Sequence, residues 1–180
     1  MKIVVIGGGA AGMMAACTAA ERGAAVTLIE RNSQLGIKVN ITGKGRCNVT
    51  NDSEPEGLIK NTLTNGRFLY SSFAALSAQD TMAFFEKAGV ALKVERGNRV
   101  FPVSDSAFSI TDALKGLVKA RGVQWVHDRA TEVVVQERTV TGVRGEKGTY
   151  AADRVTFSPY LTVLRAEIRR ITEEKIAKES

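Results

Sequence analysis

The sequence has no apolar run near the roughly 18 residues that a membrane-spanning helix needs. Strand-forming residues begin at Lys2, which leaves no room for a secretory leader, so we expect a cytoplasmic protein. The chain has only two cysteines, Cys17 and Cys47, and their separation fits neither a metal-ligand cluster nor a CxxC redox pair. We therefore expect no metal centre. With 44% hydrophobic and 24% charged residues, the composition is that of a folded globular domain.

Acidic residues are also absent from one segment, residues 31–51, although that segment contains the cations Arg31, Lys38, Lys44 and Arg46. The whole chain has a formal net charge of +6. Positive charge concentrated in one loop favours a compact polyphosphate as ligand over a long nucleic acid strand. An exposed basic loop without a ligand is the alternative interpretation.

Residues 2–30 predict a strand, a helix and a second strand. Lys2–Ile6 and Ala25–Glu30 are short runs typical of parallel strands buried on both faces, and the alanine-rich segment between them ends at Gly23. Such a βαβ unit indicates the α/β class. Residues 31–55 have no regular periodicity, so we expect a long functional loop there.

Beyond this loop, helical and strand-like patterns alternate. Helices are predicted at residues 66–76, 78–88 and 106–121. Short strands are predicted at residues 90–95, 99–101, 123–126 and 154–157. Three closely spaced strands, at residues 131–136, 139–143 and 149–151, indicate a β-meander.

A final amphipathic helix is predicted after Ser158, because four apolar residues share one seam: Leu161, Leu164, Ile168 and Ile171. The Leu161–Ile171 seam is a candidate surface for self-association or for a partner chain, and a solvent-facing helix is the alternative. We divide the chain into a Rossmann-like domain at residues 1–157 and a helical tail at residues 158–180.

A GxGxxG motif, Gly7 to Gly12, follows the first strand and opens the helix, and Glu30 ends the second strand. In this context the motif indicates a dinucleotide site. Gly7 permits a tight turn, Gly9 lets the backbone approach a pyrophosphate, and Gly12 lets the helix pack on the strand. The helix start attracts phosphates, while Glu30 can accept hydrogen bonds from ribose hydroxyls. Glycines that serve only a turn are the alternative.

The segment TGKGRCNVTN, residues 42–51, contains Gly43-Lys44 and so superficially resembles a P-loop. The Walker spacing fails, because Lys38 and Gly45 occupy positions that need a glycine and a hydroxyl residue, so ATP hydrolysis by this loop is disfavoured. Cys47 follows Arg46 and could be reactive, but a thiol packed near a ligand is the favoured interpretation. For the lone histidine, His127, a structural role is favoured over that of a catalytic base.

Together, VVIGGGAAGMMAA, LIERNSQLGIKVNITGKGRCNVTN and RVFPVSDSAFSITDAL resemble the BaiN/YhiN-like family of NAD(P)/FAD-dependent oxidoreductases, from Lys2 to about Asp153. The resemblance implies a two-dinucleotide-binding flavoprotein fold, FAD as cofactor and NAD(P)H as a possible electron donor. One branch of the family reduces carbon–carbon double bonds in steroid intermediates.

The resemblance also implies a set of cofactor contacts. It assigns the FAD pyrophosphate to Gly7, Gly9, Ala11 and Gly12, and the adenosine ribose to Glu30. It assigns the flavin side of the cofactor to Lys38, Thr42, Gly43, Arg46, Cys47 and Asn48, and the adenine to the neighbourhood of Val133. Arg31, the first cation of the loop, is a further candidate contact.

The sequence departs from the family where a strand should be followed by an Ala-Thr-Gly-Gly turn. It reads RVTFSPYLTVLRAEIRR instead, and Ser158-Pro159-Tyr160 cannot supply the same backbone flexibility. Family members are more than twice as long, so no catalytic residue or substrate site is predicted here. The sequence predicts an FAD-binding flavoprotein related to NAD(P)H-dependent oxidoreductases. The alternatives are a non-catalytic FAD-binding module that needs a partner chain, and a flavoprotein acting on tRNA.

Overall fold

The computed structural model describes residues 1–158, which form two compact units. Among the described residues, the first unit contains residues 1–36 and 114–158, and the second contains residues 37–113. The predicted tail helix and its apolar seam lie outside the described residues. Within residues 1–158, no helix combines the length and the apolar composition that crossing a bilayer requires.

The strands are β1 (Lys2–Ile6), β2 (Ala25–Glu30), β3 (Thr50–Asn51), β4 (Leu92–Glu95), β5 (Arg99–Pro102), β6 (Gln124–His127), β7 (Ala130–Gln136), β8 (Thr139–Gly145), β9 (Thr149–Ala151) and β10 (Arg154–Phe157). The α-helices are α1 (Ala10–Glu21), α2 (Ile37–Ile41), α3 (Pro55–Lys60), α4 (Tyr70–Ala75), α5 (Ala78–Lys87) and α6 (Ala107–Ala120). Two short 3-10 helices are Thr42–Gly45 and Gly66–Leu69.

The first unit is built on a four-stranded parallel sheet with the order β10-β1-β2-β6. The predicted α/β class and βαβ unit are therefore confirmed, and both strands of that unit have the predicted bounds. Parallel strands end at the same edge of a sheet, the edge where ligands bind in open α/β folds. The glycine motif directly follows β1 at this edge.

Both faces of this sheet are covered, which explains its nearly continuous apolar strands. On one face, Val4, Ile6 and Ile29 pack with Val143 and Ala152 of the meander region. On the other face, Val5 and Leu28 are buried and α1 contacts both β1 and β2. The inward residues of α1 are small or flexible and fully buried: Met13, Ala16 and Cys17. Cys17 is thus a core residue, as its alanine-rich surroundings indicate.

The predicted β-meander is also confirmed, since β7, β8 and β9 pair antiparallel. A buried carboxylate, Asp128, joins β6 to this meander by accepting hydrogen bonds from the Tyr150 hydroxyl (2.7 Å) and from the backbone N–H groups of Arg129 (2.7 Å) and Lys147 (3.1 Å). Burial opposes ionisation, but these hydrogen bonds outweigh it and lower the pKa of Asp128. Burial and the Asp128 carboxylate raise the pKa of Tyr150 to about 12.

The second unit contains an antiparallel sheet with the order β3-β5-β4. The predicted turn at Gly97-Asn98 connects β4 to β5, and both residues have positive φ angles. The expectation of a loop through residues 31–55 is wrong in detail, because α2, a 3-10 helix and β3 lie within it. These elements have two to five residues, too few to display a helical or strand period.

Candidate dinucleotide-binding site

The glycine loop of the first unit begins with a tight turn at Gly7, which has a φ angle of +102° and donates its N–H to the Ile29 carbonyl at 2.8 Å. Only glycine adopts this backbone conformation without strain. At Gly12, a Cβ atom would overlap the carbonyl oxygen of Gly7. The structure therefore confirms the tight turn at Gly7 and the close packing of α1 at Gly12.

Gly9 differs from these two glycines because a Cβ there would clash with no described residue. Among the described residues, the nearest protein atom to a Cβ at this position would be the Ser158 Oγ, 3.8 Å away. Gly9 is the N-cap of α1, no side chain caps the helix, and the first turn contains no acidic residue. The N–H groups of a first helical turn have no intrahelical partners and carry the positive end of the helix dipole. An anion can therefore approach the backbone here, as a pyrophosphate does in dinucleotide sites.

Glu30 lies at the end of β2 with only 9% of its surface exposed. Its carboxylate accepts a hydrogen bond from the Gly8 N–H at 2.7 Å, and from the Asn32 N–H and side-chain amide at 2.9 and 2.6 Å. A carboxylate has about four acceptor positions, so Glu30 retains capacity for a ribose hydroxyl. Sequence reasoning missed its bond to the glycine loop.

Gly8 is the unassigned middle residue of the GxG pattern, and the structure gives it a packing role. A Cβ there would overlap the Leu35 side chain and lie 3.0 Å from the Cβ of Glu30. Its carbonyl also accepts the Gly36 N–H at 2.9 Å. The run of three glycines in the sequence was the available signal that this position is crowded as well.

Ser158 opens the Ser-Pro-Tyr segment, where the family resemblance leads us to expect a glycine-rich turn. Its N–H donates to the Ile6 carbonyl at 2.9 Å, and its Cβ would lie 2.9 Å from a Cβ at Gly7. The departure from the family pattern therefore begins directly beside the glycine loop. Gly7 is constrained twice, by its own backbone angle and by the side chain of Ser158.

The remaining predicted contacts of the first unit have varied surroundings. Ala11 and Arg31 are exposed, and Val133 is half-buried in β7, where it pairs with Val143 of β8. The His127 Nε2 atom lies 3.1 Å from the Arg31 carbonyl oxygen, which favours the structural interpretation of that histidine. Across residues 1–158, no group of three His, Cys, Asp or Glu side chains is arranged to hold a metal ion.

In the second unit, the segment Gly43–Cys47 follows an unusual backbone path. Its left-handed residues are Gly43 (φ 55°), Lys44 (φ 57°), Gly45 (φ 85°) and Cys47 (φ 59°). The N–H of Cys47 donates to the Thr42 carbonyl at 3.1 Å and closes the loop. A non-glycine residue in this region costs about 1–3 kcal/mol, and such strain concentrates at functional sites. We call Gly43–Cys47 the left-handed loop.

Arg46, inside this loop, belongs to a closed ring of four charged side chains. Its guanidinium contacts Glu95 at 2.8 Å and Asp105 at 3.1 Å, and Lys93 contacts the same two carboxylates at 3.6 and 2.7 Å. The hydrogen bond from Arg46 lowers the pKa of Glu95, and that from Lys93 lowers the pKa of Asp105. We call Arg46, Glu95, Lys93 and Asp105 the charge ring.

The charge ring corrects the picture of an unopposed cationic loop. Residues 31–51 lack acids, but Glu95 and Asp105 neutralise Arg46 from positions far along the chain, where a local charge count does not reach. The guanidinium also lies 4.1 Å from the centre of the Phe101 ring, in cation–π contact.

Cys47 is buried with 6% of its surface exposed, and burial raises the pKa of its thiol despite an opposing hydrogen bond with Thr42. A raised pKa favours the packed thiol over the reactive one. Lys38, Thr42 and Asn48 are exposed, and the Asn48 amide donates to the Thr50 carbonyl at 3.2 Å.

A glycine loop built in this way, at the carboxyl edge of a parallel sheet and beside a buried glutamate, defines the class of Rossmann-type dinucleotide-binding proteins. Residues 1–158 match the HI0933-like protein Rossmann domain. The chain belongs to this family of FAD-binding flavoproteins.

Three similar proteins show how far the likeness extends. The 3-dehydro-bile acid delta(4,6)-reductase of Clostridium scindens is 29% identical over 86% of this chain and 37% of its own length. The ribosomal RNA dihydrouridine synthase of Escherichia coli is 34% identical over 62% of this chain and 27% of its own length. The solved structure of a flavocytochrome c3 fumarate reductase has a TM-score of 0.65 at 24% identity, covering 87% of this chain and 33% of that one. The chain thus spans well under half the length of each.

Proposed function

We propose that this chain is the cofactor-binding part of an NAD(P)H-dependent flavin oxidoreductase. The observation that carries the proposal is Gly9 at the uncapped start of α1. Among the described residues, a Cβ there would meet only the Ser158 Oγ, at an ordinary contact distance of 3.8 Å, whereas a Cβ at Gly7 or Gly12 would lie too close to other atoms. Bound FAD would supply hydride transfer between a nicotinamide and an acceptor, and the protein would supply position and electrostatics.

The proposed contacts divide by the part of the cofactor that they serve. The backbone from Gly7 to Gly12 would hold the pyrophosphate, and Glu30 would accept hydrogen bonds from the adenosine ribose beside Arg31. The family resemblance supports the adenine contact near Val133. It also supports the flavin-side contacts at Lys38, Thr42, Gly43, Arg46, Cys47 and Asn48. The two cysteines are unpaired and buried, which supports a reducing compartment such as the cytoplasm.

For the reaction, we propose reduction of a carbon–carbon double bond. One relative is named as a bile acid reductase, and another as a synthase of dihydrouridine, a uridine whose ring double bond has been reduced. The second name supports an RNA acceptor as the competing proposal. Anaerobic addition of an enone steroid or of a uridine-containing ribosomal RNA fragment to the reduced protein distinguishes them, because only the true acceptor restores the oxidised flavin spectrum.

Cofactor binding itself is tested by titrating the protein with FAD and recording visible absorbance, then adding NADPH or NADH without oxygen. We expect a bound-flavin spectrum that a nicotinamide bleaches. Gly9→Ala provides the site-specific variant, because a methyl group there would lie at an ordinary contact distance of 3.8 Å from the Ser158 Oγ and the φ angle of −77° suits alanine. We expect it to fold normally and to bind FAD weakly.

The matched control is Gly116→Ala in α6, where an added Cβ would likewise clash with no described residue. This variant should bind FAD as the wild type does. Absence of a flavin spectrum in the wild-type protein would refute the cofactor proposal. A bound flavin that no nicotinamide bleaches would favour the module that needs a partner chain.

A further inference from the structure

The charge ring of the second unit gives Arg46 a task different from that of a phosphate ligand. Arg46 is the residue of the left-handed loop with right-handed backbone angles (φ −96°, ψ −19°), and it stands directly before the left-handed Cys47. Its side chain reaches two carboxylates that belong to the β4–β5 region, forty-nine and fifty-nine residues away in sequence. The loop is thereby attached to a sheet.

The attachment is geometrically specific. One guanidinium nitrogen donates to the Glu95 Oε1 at 2.8 Å and to the Asp105 Oδ1 at 3.1 Å, and the second donates to the Glu95 Oε2 at 3.2 Å. Such fork-like pairing fixes the plane of a guanidinium, which a lysine ammonium cannot reproduce. Phe101 supports the same plane, and its ring edge would also lie 3.3 Å from a Cβ at Gly43.

Direct pairing with a cofactor phosphate would require this arrangement to break. The ring contains two cations and two carboxylates, so its formal charges sum to zero, and Lys93 already opposes both acids. If Arg46 left the ring to bind a phosphate, it would lose its ion pairs with two carboxylates and form a new ion pair with one anion.

We propose that Arg46 is a positioning residue: through Glu95 and Asp105 it holds the left-handed loop in the conformation that binds FAD, without itself contacting a phosphate. The inference rests on the proposed function of the chain as an FAD-binding domain. It adds Glu95 and Asp105, which no sequence motif marks, to the residues on which that function depends.

The decisive variant is Glu95→Gln, which keeps the side-chain size and removes one of the two carboxylate charges that hold Arg46, the one paired with both guanidinium nitrogens. If Arg46 contacts phosphate directly, releasing it leaves FAD affinity unchanged or improves it. If Arg46 positions the loop, affinity falls with the population of the competent conformation. A loop that is competent for a tenth of the time raises the dissociation constant about tenfold.

A second readout follows the loop without any cofactor. Cys47 is the last residue of the loop and is buried, so its rate of labelling by a thiol reagent in a Cys17→Ala background reports on loop opening. We expect Glu95→Gln and Arg46→Gln each to raise this labelling rate. The double variant should be labelled no faster than either single variant, since both substitutions disrupt the same charge ring. Arg46→Lys should not restore the wild-type rate.

The control is Glu146→Gln, which removes an acid from an exposed pair with Arg129 in the first unit and should change neither readout. A milder variant, Asp105→Asn, replaces Glu95→Gln if thermal unfolding shows that the latter fails to fold. Unchanged or tighter FAD binding in Glu95→Gln, with weaker binding in Arg46→Gln, would overturn the inference. If the wild type binds no FAD, the proposed function fails, and an unchanged labelling rate in Glu95→Gln would separately overturn the role of the ring.

Discussion

Two loops of this chain turn the backbone sharply, and they use different chemistry to do so. The glycine loop after β1 places glycine at Gly7, where the φ angle is positive, and at Gly12, where backbone atoms crowd each other. The left-handed loop instead forces Lys44 and Cys47, two residues with side chains, into the same unfavourable region.

The two loops also differ in what stabilises them. A buried carboxylate, Glu30, bonds the backbone of the glycine loop, and burial protects that bond from screening by salt. The left-handed loop depends on the charge ring, whose side chains are 27–45% exposed and whose contacts salt weakens. We infer that close packing and a buried hydrogen bond keep the first loop rigid. The conformation of the second loop depends on its ion pairs.

The strongest test of this contrast is Gly12→Ala. The added methyl would overlap a backbone carbonyl, which cannot move aside as a flexible side chain can. We expect a loss in the free energy of unfolding at or beyond the upper end of the roughly 1–3 kcal/mol that overpacking usually costs. Urea denaturation measures it.

Gly116→Ala is the reference for Gly12→Ala, because it makes the same change inside a helix at a position where the new Cβ would clash with no described residue. It should stabilise the protein by about 0.5–1 kcal/mol, the usual gain from replacing a mid-helix glycine. Similar stability changes in the two variants would mean that the glycine loop is not rigid.

The same contrast explains what could be predicted from the sequence. The glycines of the first loop and Glu30 lie within residues 7–30, so one motif with local spacing predicted the turn, the helix start and the glutamate. The structure has β1 and β2 at the predicted bounds. Continuous apolar runs likewise marked the sheet, because both of its faces are covered.

The second loop could not be predicted in this way. Its left-handed angles at Lys44 and Cys47 follow no residue preference, since only glycine and, to a lesser degree, asparagine and aspartate favour that region. Its ion partners Glu95 and Asp105 come from distant positions. Determinants that depend on tertiary contacts leave no local signal, so the absence of acids from residues 31–51 gave no sign that Arg46 pairs with Glu95 and Asp105.

A middle-sized effect is expected from Glu30→Gln. The amide keeps one acceptor oxygen and replaces the other with a donor, so one N–H loses its partner: that of Gly8, whose bond is buried, or that of Asn32, whose bond is partly buried. Leaving a buried donor unsatisfied costs about 1–3 kcal/mol. Urea denaturation should show this loss, and FAD titration should show weaker binding.

Glu132→Gln tests whether replacing any paired carboxylate causes a similar loss of stability, because Glu132 forms an exposed ion pair with Arg144. Its removal should cost less than that of Glu30. An equal cost in the two variants would remove the distinction between a buried structural carboxylate and an exposed ion pair.

The smallest expected effect is a gain, from Lys44→Gly in the left-handed loop. Glycine relieves about 1–2 kcal/mol of left-handed strain but loses about 0.5–1 kcal/mol to the greater freedom of the unfolded chain. A net stabilisation of up to about 1.5 kcal/mol should appear in urea denaturation. Lys44→Ala is the matched control, since it removes the same charged side chain but keeps the Cβ that causes the strain, and it should give no gain. If both variants stabilise the protein equally, the charge of Lys44 rather than its backbone angle is the unfavourable feature. The two loops would then differ in their electrostatic interactions and not in backbone strain.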